Sequence, residues 1–296
     1  MSTGFILAAG FGTRLRPLTA ELPKPVVPVG DRPLLAHVAE ACRSAGLCHL
    51  VANAHHEHHK ITRIIGDYDL KVDVKVEVEI RGTAGGVAGA RELLQPGAVL
   101  VWNGDVLTQP PVAGLLELAE REDAQVLAVS PRPAGEGTVG LDEAGNVVRL
   151  RGQQFGREAR GGDYVGVMAL GPGVVAALPS FGCLVGDVAL PHLARGGRVL
   201  TLPSPAPWTD LGDLPAYVAA NFAWLDRRGA ASWLASSARV AEGVELERCL
   251  VGQGATVSGA GRLSRVIAWP GASLTAPLSD AVVLGSGLVV PFPAEN

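Results

Sequence analysis

The chain has 296 residues, 48% of them hydrophobic, and a net charge of −4. That is enough for a large core, on the order of one large domain and a small one. Acids and bases are interspersed, so no basic face argues for a nucleic-acid partner. Four cysteines, Cys42, Cys48, Cys183 and Cys249, form no C-x-x-C pair and read as reduced thiols of a cytoplasmic protein, not as a zinc site.

The first ten residues are apolar but lack a basic n-region, so no secretory signal is expected there. Residues 5–9 predict a buried parallel strand closed by Gly10. Asp31 is expected to cap the next helix, with Pro33 in its first turn and Leu34, Leu35, Val38, Ala39 and Cys42 on its apolar face. Residues 49–53 predict a strand, and Ile61, Ile64 and Ile65 a helix. Between them His55, His56, His58 and His59 cluster. No carboxylate motif accompanies them, so an exposed loop and helix start is preferred to a metal site.

Valines alternating with charged residues over 72–80 predict a strand with one wet face. A helix over 86–94, a buried strand over 98–102, a helix over 112–122 and a strand over 125–130 follow. Strands alternating with helices at this spacing predict an α/β, Rossmann-like, doubly wound mixed sheet. Residues 138–141 and 147–151 flank Glu143-Ala144-Gly145-Asn146 and predict a hairpin. Residues 164–186 carry no charge, but Gly171, Pro172, Gly173 and Pro179 interrupt them. A buried strand and a short helix are expected there, and no membrane span. An amphipathic helix after Asp213 ends the first expected domain, residues 1–235.

Residues 236–296 change character. Units such as Cys249-Leu250-Val251-Gly252 and Val282-Val283-Leu284-Gly285 repeat an apolar pair followed by glycine, which points to stacked turns of a β-helix. An irregular glycine-rich tail is the alternative.

In open α/β sheets ligands bind beyond the carboxyl ends of the strands. Three segments stand there: Gly10-Phe11-Gly12-Thr13-Arg14, Gly82-Thr83-Ala84-Gly85-Gly86 and Asn103-Gly104-Asp105. Gly10 and Gly12 allow backbone N–H groups close to a phosphate, and Arg14 adds a planar fork for its oxygens. The loop is neither a Walker A motif, lacking G-K-[ST], nor a dinucleotide fingerprint, lacking a third glycine. Pro23 and Pro25 hold the backbone around Lys24 extended, which aims its ammonium at a fixed point. Lys24 could equally be a solvated loop lysine. Asp105 follows an apolar strand, a poor place for a carboxylate that binds nothing. Asp210 precedes a helix and could belong to its cap. Two such carboxylates on a triphosphate would suit Mg²⁺.

Leu7-Ala8-Ala9-Gly10-Phe11-Gly12-Thr13-Arg14-Leu15-Arg16-Pro17-Leu18-Thr19, followed by Pro23-Lys24-Pro25, resembles the signature of sugar-1-phosphate nucleotidyltransferases. Gly82 to Gly86, Asn103-Gly104-Asp105 and Trp208-Thr209-Asp210-Leu211-Gly212 resemble later motifs of that family in the right order. The tail resembles the short left-handed β-helix of several members, including mannose-1-phosphate guanylyltransferases. The resemblance implies an enzyme that joins an NTP to a sugar 1-phosphate and releases pyrophosphate, with GTP and mannose 1-phosphate as the first expectation. It implies catalytic roles for Arg14 and Lys24, and Mg²⁺ on Asp105 and Asp210. It also implies nucleotide contacts from Leu7, Ala8, Ala9, Gly10, Gly12, Thr13, Gly82, Thr83, Ala84 and Gly85, and sugar contacts from Asp163 and Tyr164. A homo-oligomer through the tail is expected, with no membrane partner.

Two departures stand out. The family's Glu-Lys pair is missing, and Gly156-Arg157-Glu158-Ala159 stands in its region, with Arg157 a candidate substitute. Asp213 replaces a threonine. The rivals are a cytidylyltransferase for phosphocholine or another small phosphorylated molecule, and a non-catalytic NDP-sugar-binding homologue. The latter is expected to lose the lysine or a metal carboxylate, yet Arg14, Lys24, Asp105 and Asp210 are all present.

Overall fold

A computed structural model describes residues 2–294. They resolve into two compact units. One holds the residues up to Gly10 and Leu35–Asp210. The other holds Phe11–Leu34 and the chain from Leu211 onward.

The first unit is built on a mixed sheet. Its parallel centre runs, in spatial order, Val99–Asn103, Thr3–Leu7, His49–Ala54 and Asp73–Val76. Phe5, Ile6, Val51, Leu100 and Val101 are all essentially inaccessible, as befits strands covered on both faces. Arg160–Leu170 joins antiparallel beside Val99–Asn103. Gln125–Arg132 joins antiparallel to that strand, and Leu200–Pro203 parallel to Gln125–Arg132. The parallel-dominated α/β sheet is as expected. So is the hairpin, where Val139–Leu141 pairs antiparallel with Val147–Leu150.

Three expectations need correction. The strand over 72–80 stops at Val76, because its partner strand runs out at Ala54, the residue paired with Val76. Val78 is then 95% exposed, while Glu77 turns inward and is buried. The helix expected over 86–94 occupies Gly82–Gly89 instead. Its glycines permit close packing, with Ala84 N–H donating to the Gly182 carbonyl at 2.9 Å. Asp31 caps nothing. Pro33 pairs with Pro28 in a two-residue ladder, the helix begins at Leu34, and the Asp31 carboxylate accepts from Arg32 and Arg228, each at 3.0 Å.

The second unit contains the turns Thr13–Leu15 and Lys24–Val26, the four-residue helix Leu18–Glu21 and the helix Leu214–Arg227. Asp213 accepts Ala216 N–H at 3.0 Å and caps that last helix. The tail is ordered as stacked parallel strands. Trp233 pairs with Leu250, Leu250 with Ile267, Arg239 with Thr256 and Thr256 with Ser273, a step of 17 residues each time. Cys249, Val251, Val257, Val266 and Val283 form its buried interior. The four cysteines are free thiols, with Cys42 and Cys249 buried.

Candidate active site

In the first unit the site is built where strands end. Leu7 is level with both Asn53 and Asn103, so three strands finish together. Gly104 N–H donates to the Leu7 carbonyl at 2.9 Å. The buried Trp102 indole N–H donates to the Val106 carbonyl, also at 2.9 Å. These two bonds pin the turn that carries Asp105. The chain then forms a short ladder, Val106–Leu107 with Thr209–Asp210, in which Asp210 is the partner of Val106. Two acidic residues far apart in sequence thus stand on adjacent segments, Asp210 opposite Val106 and Asp105 one residue before it. Asp105 is partly exposed and Asp210 exposed. Because Asp213 takes the capping bond, Asp210 is not needed for the helix start.

This pair fits Mg²⁺. The ion takes hard oxygen donors and usually keeps one or two carboxylates plus water and phosphate oxygens. Among the described residues no group of three or more His, Cys, Asp or Glu is arranged to hold a metal. A site of two carboxylates would leave the remaining positions of such an ion to water and substrate.

A cavity of about 510 Å³ opens at the same strand ends. Leu7, Thr83, Asn103, Thr138, Tyr164 and Cys183 help line it, together with Arg149 and Arg151. Of the residues expected around the nucleoside, Leu7 and Thr83 therefore face this space. Ala84 and Gly85 N–H groups are turned to the Gly182 carbonyl. Ala8 and Ala9 are buried, Ala8 N–H donating to Asn53 Oδ1 at 2.8 Å, and Gly10 is exposed. Of the two expected sugar contacts, Tyr164 lines the cavity. Burial, with Cys183 nearby, pushes its phenol well above the ordinary range and keeps it neutral. The Asp163 carboxylate instead accepts from Arg132 Nε at 2.7 Å and from Thr138 N–H at 3.2 Å. Arg157 lies at a separate surface depression with Asp142 and Glu143.

Asn53 and Glu77 were not anticipated. Asn53 Oδ1 holds Ala8 N–H, Asn53 Nδ2 donates to Glu77 Oε1 at 2.7 Å, and Glu77 Oε2 accepts Arg81 N–H at 3.1 Å. Both side chains are buried. The pair ties the first strand's exit to the start of the Gly82–Gly89 helix. The signal was present, since Asn53 ends an apolar strand just as Asp105 follows one.

Arg149 is held by Glu158, its Nε 2.7 Å from Oε2, which raises the guanidinium's pKa and lowers the carboxylate's. Arg151 Nη2 stands 3.4 Å from Cys183 Sγ. Burial alone would raise the Cys183 thiol. Hydrogen bonds from the Gly186 and Val185 backbone and from Thr83, with the charge of Arg151, outweigh it and hold the thiol below its ordinary value.

The other expected phosphate-binding residues belong to the second unit. Arg14 and Thr13 are exposed in the turn after Gly12. Arg14 lies directly over Gly212, where a Cβ would come within 2.9 Å of Nη1. Lys24 is only 8% exposed. The solvated loop lysine is excluded, because the residue as a whole is almost fully covered.

A parallel-centred α/β sheet places its ligand site beyond the carboxyl ends of its strands. Residues 3–152 match the family described as Nucleotidyl transferase. The chain is 30% identical over 296 residues to a probable mannose-1-phosphate guanylyltransferase 1 of Oryza sativa subsp. japonica, covering 90% of this chain and 81% of that protein. It is 26% identical over 265 residues to mannose-1-phosphate guanylyltransferase 1 of Arabidopsis thaliana, covering 85% and 73%. HddC from Yersinia pseudotuberculosis, crystallised in complex with GMP-PN, shares the fold with a TM-score of 0.64 at 22% identity, covering 76% of this chain and 100% of HddC. The chain belongs to the nucleotidyl transferase family, within the sugar-1-phosphate nucleotidyltransferases, and is an enzyme of that class.

Proposed function

We propose that the enzyme transfers a guanylyl group from GTP to mannose 1-phosphate and releases pyrophosphate. The names of the plant relatives support this choice of substrates. The observation that carries the chemistry is the backbone ladder that brings Asp210 opposite Val106, the residue after Asp105, at the carboxyl end of a central strand.

In this reading a sugar phosphate oxygen attacks the α-phosphorus in line, and the P–O bond to pyrophosphate breaks. Both reactants are anions, so the protein must hold them together and neutralise charge. Mg²⁺ held by Asp105 and Asp210 would supply part of that neutralisation. Arg14 holds the β- and γ-phosphates, and Lys24 the reacting α-phosphate. Asn53 fixes the Ala8 backbone beside the nucleoside. Tyr164 and Thr138 face the sugar. Arg151 takes the place of the family's missing lysine as the cation for the sugar phosphate. Arg149 does not, because Glu158 already neutralises it.

The stacked tail is read as a short left-handed β-helix through which copies self-associate, since Leu288 and Val289 remain about half exposed at its end. No described helix is long and apolar enough to cross a membrane. We read the enzyme as cytoplasmic.

The test is pyrophosphate release measured over a grid of NTPs and sugar 1-phosphates, with Mg²⁺ and with EDTA. GTP with mannose 1-phosphate should give the highest kcat/KM. A preference for CTP with phosphocholine would replace this reading, and binding of nucleotide sugars without turnover on any pair would remove it.

A further inference from the structure

The segment 11–34 carries Arg14 and Lys24, yet it cannot hold its own shape. Its regular parts are two three-residue turns and a four-residue helix, far below the length at which a helix is stable alone. Even so, Leu15, Leu18, Val27 and Val29 are completely buried and Lys24 nearly so.

Two hydrogen-bonded attachments to the tail anchor the segment on either side of Lys24. The first is at Glu21. Its carboxylate accepts Ser286 Oγ–H at 2.6 Å and Ser286 N–H at 3.2 and 3.3 Å. Position 285 must be glycine for the carboxylate to come so near, since a Cβ there would lie 2.7 Å from Glu21 Oε1. The second is at Pro28. The Tyr217 hydroxyl donates to the Pro28 carbonyl at 2.7 Å and accepts the Trp269 indole N–H at 2.9 Å. Tyr217 and Trp269 are inaccessible to solvent. Asn221 adds to this, taking Gly30 N–H at 2.9 Å while donating to the Tyr217 carbonyl.

Lys24 lies between the two attachments, three residues after Glu21 and four before Pro28. Each attachment ends on a late coil of the tail, at Ser286 or at Trp269. A backbone fixed on both sides of Lys24 leaves its ammonium little room to wander. Catalysis by charge stabilisation needs that kind of preorganisation.

We propose that the tail is a positioning element for the transfer reaction, in which Glu21, clasped by Ser286, and Tyr217, clasped by Trp269, hold Lys24 in its working place. The proposal rests on the assignment of Lys24 as the cation of the reacting phosphate. Glu21 and Tyr217 touch no substrate in this scheme and act through Lys24.

The test is a double-mutant cycle in the full-length enzyme, read as kcat and KM for each substrate and as the thermal midpoint. Glu21→Ala should lower kcat about tenfold, since a preorganised contact is loosened and not removed. KM for the sugar phosphate should stay within about twofold. Glu21→Gln keeps an acceptor oxygen and should recover most of the loss. Ser286→Ala, an exposed change that cannot endanger the fold, should lower kcat about threefold in the same sense, as one charge-assisted bond is lost. Adding Glu21→Ala to Lys24→Ala should cost nothing further, because a residue that acts through Lys24 has nothing left to position. Losses that multiply instead, or a kcat unchanged in both Glu21→Ala and Ser286→Ala while Lys24→Ala is crippled, would overturn the positioning role and leave the function standing. Normal turnover in Lys24→Ala would remove the role assigned to Lys24, and the positioning proposal with it.

Discussion

The carboxylates at the strand ends and the cations of segment 11–34 are held in place by different means. Asp105 and Asp210 are placed by backbone. Asp105 follows a strand whose register is set by the central sheet, and Asp210 is brought beside it by a two-residue ladder. The register of the buried sheet, the Gly104 backbone bond and the Trp102 indole bond set Asp105, and main-chain pairing sets Asp210. Arg14 and Lys24 stand in short turns held by the buried side chains of the segment and by a handful of side-chain bonds, among them those of Thr19, Glu21, Tyr217 and Asn221. The difference teaches that the two halves of the chemistry should respond differently to mutation. Changes around the carboxylates should alter metal dependence with the fold intact. Changes around segment 11–34, even distant ones, should alter kcat.

The largest effect is expected at the strand ends. Asp105→Asn should lower turnover by on the order of a hundredfold or more at low Mg²⁺, with partial recovery at high Mg²⁺, because a charged ligand is lost while the site's shape is kept. The thermal midpoint should not move, since the partly exposed carboxylate is not part of the core. Steady-state rates across a Mg²⁺ titration check this. Turnover in EDTA equal to that with Mg²⁺ would break the comparison at its root, leaving the carboxylate pair without a metal to hold.

Next comes Arg14. Arg14→Ala should lower kcat about a hundredfold and raise KM for the NTP, as a preorganised charge contact is removed. Gly212→Ala sharpens the point. Its new Cβ would fall 2.9 Å from Arg14 Nη1, so the flexible fork must shift. A loss of about tenfold is expected, between the parent and Arg14→Ala. A Gly212→Ala enzyme with parental kinetics would mean that the guanidinium has more than one working position.

These expectations also mark how far the sequence could be read. Asp105 was legible because a carboxylate directly after an apolar strand is costly unless it binds something. Lys24 between prolines was legible for a similar local reason. The parallel sheet, the hairpin and the stacked tail follow from periodicity and turn residues, which are local as well. What could not be read is non-local. Asn53 meets Glu77, and the Tyr217 hydroxyl meets the Pro28 carbonyl, across long stretches of chain with no periodic signal. For the same reason the grouping of segment 11–34 with residues from 211 onward carries no signal in the sequence. Strand register hid the cavity's cation. Pairing between Val139–Leu141 and Val147–Leu150 slips between Val147 and Arg149, and the cavity is lined by Arg149 and Arg151 and not by Arg157.

Arg151 therefore offers a smaller, more selective effect. Arg151→Ala should raise KM for the sugar phosphate about tenfold, the worth of one charge-assisted contact, with KM for the NTP nearly unchanged. The same change in both KM values would assign Arg151 to the cavity's shape and not to the sugar phosphate.

The smallest effect is a chemical one, and it reads the cavity without relying on turnover. Cys183 lines the cavity, and its thiol is held below the ordinary value by neighbouring N–H groups, Thr83 and Arg151 despite burial. The thiolate is the reactive form. Cys42, by contrast, is pushed up to about 12 by burial, and Cys249 is raised for the same reason, so both stay protonated and covered at neutral pH. Iodoacetamide labelling followed by peptide mapping should find Cys42 and Cys249 unmodified. The Cys183 rate should rise with pH through a midpoint below that of an unperturbed thiol. Arg151→Ala removes a positive charge beside the thiolate and should shift that midpoint upward. A sugar 1-phosphate bound in the cavity should slow Cys183 labelling at constant pH, since it covers the sulfur. A midpoint at or above that of a free thiol would contradict the electrostatics. Labelling that the sugar phosphate leaves unchanged would place the substrate somewhere other than this cavity.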